Sequence, residues 1–175
     1  MVTETLPHFS SRGAIFAANP SDVDSFARTR ILSTTEHAML TNKKTIHIEW
    51  GHCDPLGIVY YPRYFEFFDA CTSALFEVAG LPKPQMLKRY AIAGIPMVET
   101  RARFLAPSAF GDTVTVETRV AEWGTSSFSV EHKLFNKDTL AVEAFEKRVW
   151  TAHATDGSRR IQSQPIPREV IERFS

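Results

Sequence analysis

A single carboxylate, Asp54, lies in the stretch of the chain whose residue types are best suited to chemistry. The segment W-G-H-C-D-P-L-G-I-V-Y-Y-P, residues 50–62, places it in a glycine- and proline-containing loop directly before an aromatic run that starts at Pro62. Proline at the first position of such a run predicts a helix start. Backbone N–H groups there have no helical partner and can bind an anion or a polarised carbonyl oxygen. A carboxylate fixed beside free backbone donors predicts a site for attack on a carbonyl group.

Asp54 also has a structural interpretation, and its neighbours suggest other kinds of site. Asp-Pro is common before turns, because the carboxylate accepts hydrogen bonds from nearby backbone amides. His52 beside Cys53 suggests a thiol nucleophile, but adjacent residues of an extended segment point in opposite directions. His52, Cys53 and Asp54 also suggest metal ligands, yet no further group follows at ligand spacing, so no metal site is predicted. Asp54 stays the catalytic candidate, with a backbone cap as the alternative.

A strand before this segment and a long helix after it must hold it in place. Residues 45–50, T-I-H-I-E-W, alternate with period two, which predicts a strand. Residues 62–79 repeat apolar side chains at three- and four-residue spacing, from Tyr64 to Val78, which predicts one helix of about five turns, buried on most sides. Asp69 lies on its narrow polar stripe, and periodicity alone predicts that it is solvated. Gly80 predicts a left-handed cap, and the prolines that follow are expected to prevent continuation.

The rest of the chain is predicted to be mostly strand. Four alternating or branched runs are separated by turn signals and cover residues 95–105, 112–123, 127–135 and 140–153. Asn-Lys-Asp at 136–138 predicts a hairpin, and Asp-Gly at 156–157 predicts a further turn. A short helix is predicted from Pro167 to Phe174. One long helix followed by antiparallel strands predicts an α+β fold, a curled sheet wrapped around a helix.

Composition predicts one domain and excludes several classes of protein. A chain of 175 residues with 43% hydrophobic residues can bury one core. Twenty basic and twenty acidic residues leave no net charge, so neither nucleic acid nor an anionic membrane surface is a predicted partner. No apolar run approaches the roughly 20 residues of a membrane span, and no signal-peptide pattern opens the chain. With two cysteines and no disulfide or zinc pattern, a cytoplasmic location is predicted.

Residues 1–42 carry little signal and are predicted to form a weakly structured N-terminal extension, with the main domain at 43–175. Residues from Ser21 to Thr29 could form one short helix. Two interpretations of the extension stay open. Either the natural start is Met39, or the extension is an ordered surface segment.

The run W-G-H-C-D-P-L-G-I-V-Y-Y-P-R-Y-F-E-F-F-D, residues 50–69, resembles the 4-hydroxybenzoyl-coenzyme A thioesterase family. A looser resemblance extends from about Lys43 to Phe174, and the core D-P-x-G-I-V-x-Y-P-x-Y is long and specific. The resemblance implies the hot-dog fold of that family. It also implies hydrolysis of an aromatic, hydroxybenzoyl-like acyl-CoA to the free acid and coenzyme A. Coenzyme A is then part of the substrate, and no separate cofactor is expected.

The resemblance implies roles for the residues of the motif. Asp54 would be the catalytic carboxylate, which attacks the thioester carbonyl directly or positions a water molecule. The backbone N–H of Tyr61 would donate to the thioester oxygen, and Tyr60 beside it would contact the substrate. Asp69 would lie near the acyl pocket, where it can recognise a ring hydroxyl group.

The chain also departs from the family pattern at two places. Gly94-Ile95-Pro96 matches a substrate-lining stretch, but Ile95 stands where the hydroxybenzoyl enzyme has a hydroxylated residue, which leaves a plainer or different aryl group open as an alternative. After Trp123, G-T-S-S replaces a basic cluster of that enzyme. Arg159 and Arg160 are therefore the candidates for binding the phosphates of coenzyme A, with ordinary surface charge as the alternative.

Two other functions stay open, and the assembly is an expectation. Related hot-dog thioesterases act on short or medium aliphatic acyl groups and share the loop aspartate, and non-catalytic acyl-binding hot-dog proteins form a different class. A single curled sheet leaves edge strands that proteins normally cover. The strand at 45–50 and the strands after Asp112 are long enough to pair with a second copy. The resemblance implies a homodimer, or a tetramer of dimers, in which Asp54 faces Ile95 of the partner subunit.

Overall fold

A five-stranded antiparallel sheet curls around one long helix in the computed structural model, which describes residues 39–155, 158 and 160–175. The helices are α1 (Tyr61–Val78), α2 (Lys83–Tyr90) and α3 (Arg168–Ile171), with single 3-10 turns at Trp50–His52 and Glu172–Phe174. The strands are β1 (Thr41–His47), β2 (Met97–Phe104), β3 (Thr113–Trp123), β4 (Ser127–Asn136), β5 (Thr139–Val149), β6 (Thr151–His153) and β7 (Ile161–Ser163). The predicted α+β class is confirmed.

The order of strands in the large sheet is β1-β3-β4-β5-β2, and β6 pairs with β7 in a separate ribbon. The edges of the large sheet are therefore β1 and β2. The expectation that the strands after Asp112 could pair with a second copy is wrong for β3, β4 and β5, because each already has a neighbour on both sides.

Alternation in β3 decides which face of the sheet meets α1. Val114, Val116 and Thr118 are fully buried, whereas Thr113 and Arg119 are exposed. Successive side chains of a strand point to opposite faces, so one face of the sheet is apolar and covered by the helix. The predicted period-two pattern of this strand is confirmed.

The start and end of α1 follow from its sequence. Tyr60 is extended, with ψ at 122°, and Pro62 lies in the first turn, where its missing N–H removes no helical hydrogen bond. At the other end Gly80 has φ at +72°, and the N–H of Leu81 donates to the carbonyl of Phe76 at 2.8 Å. These are the features of a Schellman cap. The predicted left-handed glycine cap is confirmed.

One face of α1 is buried, rather than most of its surface. The buried residues are Tyr64, Phe67, Phe68, Cys71, Thr72, Leu75 and Phe76. Phe68 is completely buried, and its truncation to alanine is expected to cost about 3–5 kcal/mol. The prediction is wrong at Val78, the last helical residue, which is 59% exposed although the periodicity placed it on the buried face.

The strand predicted at residues 45–50 is displaced towards the N-terminus. β1 ends at His47, because a tight turn follows it. In this turn the N–H of Glu49 donates to Nδ1 of His52 at 3.0 Å, and the N–H of His52 donates to the carbonyl of Glu49 at 3.0 Å. The reciprocal bonds close a short 3-10 turn. The alternation of apolar and polar residues continues through this turn, so the sequence pattern does not show where the strand ends.

Further differences lie at prolines and at a chain bend. α2 was not predicted, because Pro82 and Pro84 were interpreted as breakers. Pro84 lies in the first turn of α2, where proline is tolerated. The strand predicted at 140–153 is divided at Trp150 into β5 and β6, and β7 was not predicted. The short helix predicted at the C-terminus is present as α3 and the turn that follows it.

The C-terminal segment packs against the start of β1. The N–H of Leu40 donates to the carbonyl of Phe174 at 2.9 Å, and β1 begins at Thr41, two residues before the predicted domain start. The short helix predicted near Ser21, like the turn predicted at 156–157, lies outside the described residues. Within the part of the chain that the structure describes, no helix is both long enough and apolar enough to cross a membrane.

Candidate active site

The loop that carries Asp54 is a small hairpin that leads directly into α1. The N–H of Asp54 donates to the carbonyl of Ile58 at 2.9 Å, and the N–H of Tyr60 donates to the carbonyl of His52 at 2.9 Å. Because Asp54 lies opposite Ile58, Tyr60 is its diagonal neighbour, at about 7–8 Å. The hairpin therefore brings the carboxylate close to the first residues of the helix.

The Asp54 carboxylate forms an Asx turn, as its structural interpretation predicted. Its Oδ1 atom accepts the N–H of Leu56 at 2.8 Å, and its carbonyl accepts the N–H of Gly57 at 2.9 Å. Gly57 has φ at +76°, a conformation that glycine adopts without a steric penalty. Oδ2 receives no hydrogen bond from any residue in the described ranges. One oxygen thus orients the half-buried carboxylate, and the other is available for chemistry.

A second loop holds this hairpin in place. The N–H of Val59 donates to the carbonyl of Ser108 at 2.8 Å, and Ile58 forms a bridge with Ala109. The N–H of Ala109 in turn donates to Oδ2 of Asp112 at 2.8 Å. The connection from β2 to β3 is therefore ordered by Asp112, and it supports the loop of Asp54 from one side.

Tyr60 and Tyr61 lie at the start of α1, which begins one residue before the predicted Pro62. Tyr61 is the first helical residue, so its backbone N–H has no acceptor within the helix. Their rings meet edge-on with centroids 5.3 Å apart, and they are 48% and 59% exposed. Aromatic rings exposed to this degree beside an N–H without a helical acceptor are suited to binding a partly apolar ligand with a carbonyl oxygen.

Asp69 lies two turns further along α1, and its surroundings were not foreseen. The side chain is 52% exposed, in agreement with its predicted place on a polar stripe. One of its oxygens, Oδ1, accepts a hydrogen bond from Nη2 of Arg148 at 2.7 Å. Arg148 lies on β5 and is 5% exposed. The carboxylate of Asp69 is therefore oriented by the buried guanidinium of Arg148, which lies on the sheet side of α1.

Ile95 lies far from Asp54 within one chain. Its side chain is 8% exposed and belongs to the apolar core around Trp150. Ile95 precedes β2, whereas the loop of Ser108 that supports Asp54 follows it. β2 has eight residues, which span about 26 Å. The two candidate residues therefore lie at opposite ends of this strand.

Arg160 lies directly before β7, remote in sequence from the loop of Asp54. Its Nε donates to Oγ of Ser158 at 3.2 Å. It lines a shallow pocket of about 170 Å³ together with residues of the β6–β7 ribbon. Arg159, the other candidate for binding the phosphates, lies outside the described residues.

Both cysteines are free thiols: Cys53 is half-buried and Cys71 is buried. Burial raises the pKa of the Cys71 thiol to about 11. The Sγ atom of Cys53 contacts the carbonyl of Glu49 at 3.7 Å. Among residues 39–155, 158 and 160–175, no cluster of three or more His, Cys, Asp or Glu side chains could hold a metal ion.

Comparison with known proteins decides the family. The model of the thioesterase-like superfamily matches residues 48–174. The chain belongs to this superfamily. It is 33% identical over 131 residues to the 4-hydroxybenzoyl-CoA thioesterase of Pseudomonas sp. strain CBS-3, a match that covers 71% of this chain and 91% of that enzyme.

Solved structures agree with this assignment. The three-dimensional structure of the same Pseudomonas enzyme superposes with a TM-score of 0.70 at 32% identity, over 76% of this chain and 98% of that one. A gentisyl-coenzyme A thioesterase, BH1999, superposes with a TM-score of 0.65 at 28% identity, over 76% of this chain and 98% of that one. The predicted family and hot-dog fold are confirmed, and so is the predicted enzyme class, a hydrolase of acyl-CoA thioesters.

The thioesterase also contains a polar cluster that the sequence interpretation missed. Glu146, Arg148 and His132 are at most 5% exposed, although they are ionisable. Burial raises the pKa of Glu146, but the nearby His132 imidazole and the charge of Arg148 lower it by more, so the net pKa lies below its usual value. The signal was present in β5, where Val142, Ala144, Glu146 and Arg148 occupy the inward-facing positions. Charged residues in the inward phase of a strand predict a buried polar cluster.

Proposed function

We propose that this thioesterase hydrolyses an aromatic acyl-CoA, with Asp54 acting on the thioester carbonyl. The observation that carries the proposal is the arrangement around one carboxylate. Its Oδ1 is held by the N–H of Leu56 at 2.8 Å, and its Oδ2 has no hydrogen-bond donor among the described residues. The N–H of Tyr61, which has no acceptor within the helix, begins the adjacent α1.

The chemistry follows from these groups. Oδ2 of Asp54 attacks the thioester carbon directly, or it removes a proton from a water molecule that attacks instead. Negative charge then develops on the thioester oxygen, where the N–H of Tyr61 and the dipole of α1 stabilise it. Collapse expels coenzyme A as the thiolate. In the direct route water next hydrolyses the mixed anhydride on Asp54, so both routes consume one water and release the free acid.

An aromatic acyl group is favoured by the surface of α1. Tyr61, Phe65 and Asp69 are spaced by four residues and therefore share one stripe of the helix. Two turns separate Tyr61 from Asp69, a rise of about 12 Å. Side chains of a helix lean towards its N-terminus, which shortens the gap to the Asp69 carboxylate. A benzoyl group with a ring hydroxyl fits this stripe, and the two named relatives act on hydroxylated aromatic acyl groups.

The nucleotide end of coenzyme A is proposed to bind near Arg160, with Arg159 beside it in the sequence. A phosphate needs basic partners, and Arg160 lines a pocket at the β6–β7 ribbon. No cofactor is needed for the hydrolysis. We also propose a cytoplasmic location, since the substrate is an intracellular thioester.

A homodimer is proposed because the site is incomplete in one chain. β2 is an edge strand whose eight residues are all half-buried or exposed, and Val98 is 61% exposed. Exposed strand edges are normally covered. Antiparallel pairing of β2 with β2 of a second copy brings the end that carries Gly94–Pro96 next to the partner's loop of Asp54. The Ile95 segment and the loop of Asp54, which are separated by about 26 Å within one chain, then become neighbours across the dimer. Two such dimers can form a tetramer.

The test measures hydrolysis of a panel of acyl-CoA thioesters, with the released free thiol of coenzyme A as the readout. We expect benzoyl-type thioesters to give the highest kcat/KM. A preference for short or medium aliphatic thioesters would replace the aromatic assignment. Binding without turnover of any of them would identify a non-catalytic acyl-binding protein.

A further inference from the structure

A series of hydrogen-bonded polar side chains extends from Asp69 on the surface of α1, through Arg148, to Glu146 in the core. Nη2 of Arg148 donates to Oδ1 of Asp69 at 2.7 Å, and Nε of Arg148 donates to Oε2 of Glu146 at 2.9 Å. Asp69 is half exposed, whereas Glu146 is completely buried. Arg148 thus joins a surface carboxylate to an interior one.

The interior end of this series is anchored on two sides. Oγ1 of Thr72 donates to Oε2 of Glu146 at 3.1 Å, and Nε2 of His132 lies 3.6 Å from the same oxygen. Nδ1 of His132 shares a hydrogen bond with Oγ1 of Thr118 at 3.0 Å. All of these side chains are buried. Few rotamers satisfy so many contacts, so the guanidinium of Arg148 is fixed before any substrate arrives.

Stability alone does not explain this arrangement. Oε1 of Glu146 is buried and has no hydrogen-bond partner among the described residues, which costs stability. A buried ion pair is seldom more stabilising than well-packed apolar side chains. The outer member of the series, Asp69, lies at the surface on the stripe that Tyr61 begins. Arg148, one member of the buried pair, donates a hydrogen bond to the carboxylate of Asp69.

The charges also determine what Asp69 presents to a ligand. Arg148 is shared between two carboxylates, Glu146 and Asp69, so the three groups together carry a net negative charge. Arg148 occupies Oδ1, and no residue in the described ranges donates a hydrogen bond to Oδ2. A fixed oxygen with net negative charge accepts a hydrogen bond from a hydroxyl or amino group and repels a carboxylate.

We propose that Arg148 and Glu146 are positioning residues that fix Asp69 as an acceptor for a neutral donor on the acyl group. The site then selects ring-hydroxylated or ring-amino acyl groups over plain ones and excludes acyl groups that carry a carboxylate. This inference rests on the proposed function, in which the acyl group lies along α1. It differs from that function because it concerns a buried pair that touches no substrate.

The test measures binding, so that it does not depend on turnover. Phenacyl thioethers of coenzyme A that are plain, hydroxylated at each ring position, or carboxylated are titrated by calorimetry into the wild-type enzyme. We expect the best hydroxylated analogue to bind at least about ten-fold more tightly than the plain one, as for a hydrogen bond to a charged acceptor. We expect the carboxylated analogue to bind most weakly. No preference for any hydroxylated analogue would overturn the inference.

The variants then ask whether the buried pair acts through Asp69. In the charge-neutral double variant Arg148→Met/Glu146→Gln, and in Asp69→Asn, we expect the ratio of the two affinities to fall towards one. Combining all three changes is expected to cause no further loss of the ratio, because the residues act as one unit. A purely structural role would weaken both analogues equally and leave the ratio unchanged, which would refute the proposal.

Controls separate this inference from folding and from the proposed function. Arg119→Met/Glu131→Gln removes an exposed cross-strand pair of the same chemistry, 2.7 Å apart, and is expected to keep the wild-type ratio. If Arg148→Met/Glu146→Gln does not fold, Thr72→Val removes only the hydroxyl that supports Glu146 and should lower the ratio by a smaller factor. An unchanged ratio in that variant would count against the proposal. An enzyme that binds with the expected ratios but hydrolyses no aromatic thioester would refute the proposed function alone.

Discussion

The backbone N–H of Val59 donates to the carbonyl oxygen of Ser108 at 2.8 Å, which joins the loop of Asp54 to the connection between β2 and β3. The bond is formed by backbone atoms and persists whatever side chain stands at position 54. Substitutions of Asp54 are therefore expected to change chemistry without releasing the loop.

Asp54→Asn is expected to keep the fold and to lose at least about two decades of thioester turnover. An asparagine oxygen can still accept the N–H of Leu56, but it is neither a nucleophile nor a base. Steady-state kinetics with a benzoyl-type thioester and the circular dichroism spectrum check the two parts. Asp138→Asn, at the exposed turn between β4 and β5, is the matched control. Near-normal hydrolysis by Asp54→Asn would rule out the mechanism.

The donor at the start of α1 can be deleted without removing the helix. Tyr61→Pro lacks the backbone N–H, and proline suits the first helical position after an extended residue such as Tyr60. We expect this variant to lose about 10²–10³ in kcat. Tyr61→Phe and Tyr61→Ala retain the N–H and separate the contributions of hydroxyl and ring. If Tyr61→Ala lost as much activity as Tyr61→Pro, the ring and not the N–H would be responsible.

Assembly is expected to depend on the edge formed by β2. Val98→Lys places a charge on this edge, a device by which proteins prevent strand pairing. We expect light scattering to report a monomer and hydrolysis to fall with it, because the partner's contribution to the site is lost. Val78→Lys, at the exposed end of α1, is the control of similar exposure. A wild-type monomer with full activity at micromolar concentration would exclude the arrangement.

Residues 1–38 are expected to be dispensable. A chain that begins at Met39 retains the bond between Leu40 and Phe174 and the whole of β1. We expect it to fold and to hydrolyse thioesters as the full chain does. A chain that begins at Lys43 lacks Leu40 and the first two residues of β1, and its melting temperature should fall. Aggregation of the chain from Met39 would indicate that the N-terminal residues belong to the core or to an interface.

The lowered pKa of Glu146 predicts a dependence of stability on pH. A carboxyl group whose folded pKa lies below its unfolded value stabilises the fold above that unfolded value, and this contribution is lost as pH falls through the folded pKa. We expect the free energy of unfolding to decline from about pH 5 downwards, less steeply in Glu146→Gln than in the wild type. Denaturant titrations at several pH values measure both slopes. Glu143→Gln, on the same strand but partly exposed, should keep the wild-type slope.

The motif and the periodic elements were predictable from sequence because their signals are local. Gly80 after the apolar run marked the end of α1, and alternation marked β3. The tight turn after β1 was not predictable, because its His52 cap imitates the alternation of a strand. Pro82 and Pro84 concealed α2, since a proline in the first turn of a helix looks the same in sequence as one that ends it.

The candidate site was predictable only as far as its residues are adjacent in the chain. Asp54, Tyr60 and Tyr61 belong to one hairpin and one helix start. Arg148 and Asp69 are 79 positions apart in the sequence. The residues around one of them contain no signal that indicates the other as its partner. The inward phase of β5 could have shown that Arg148 is buried, but its partner depends on how α1 lies across the sheet.

The order of the strands has a consequence for how the chain is made. β3, β4 and β5 follow one another in sequence and lie side by side, whereas β1 and β2 occupy the outer positions and pair with β3 and β5. β1, α1 and β2 are therefore synthesised before β3, β4 and β5, the strands with which they pair or pack. Until then no complete sheet covers the apolar face of α1. Because such long-range pairing is slow, the nascent N-terminal half is the part of this protein that we expect chaperones to bind.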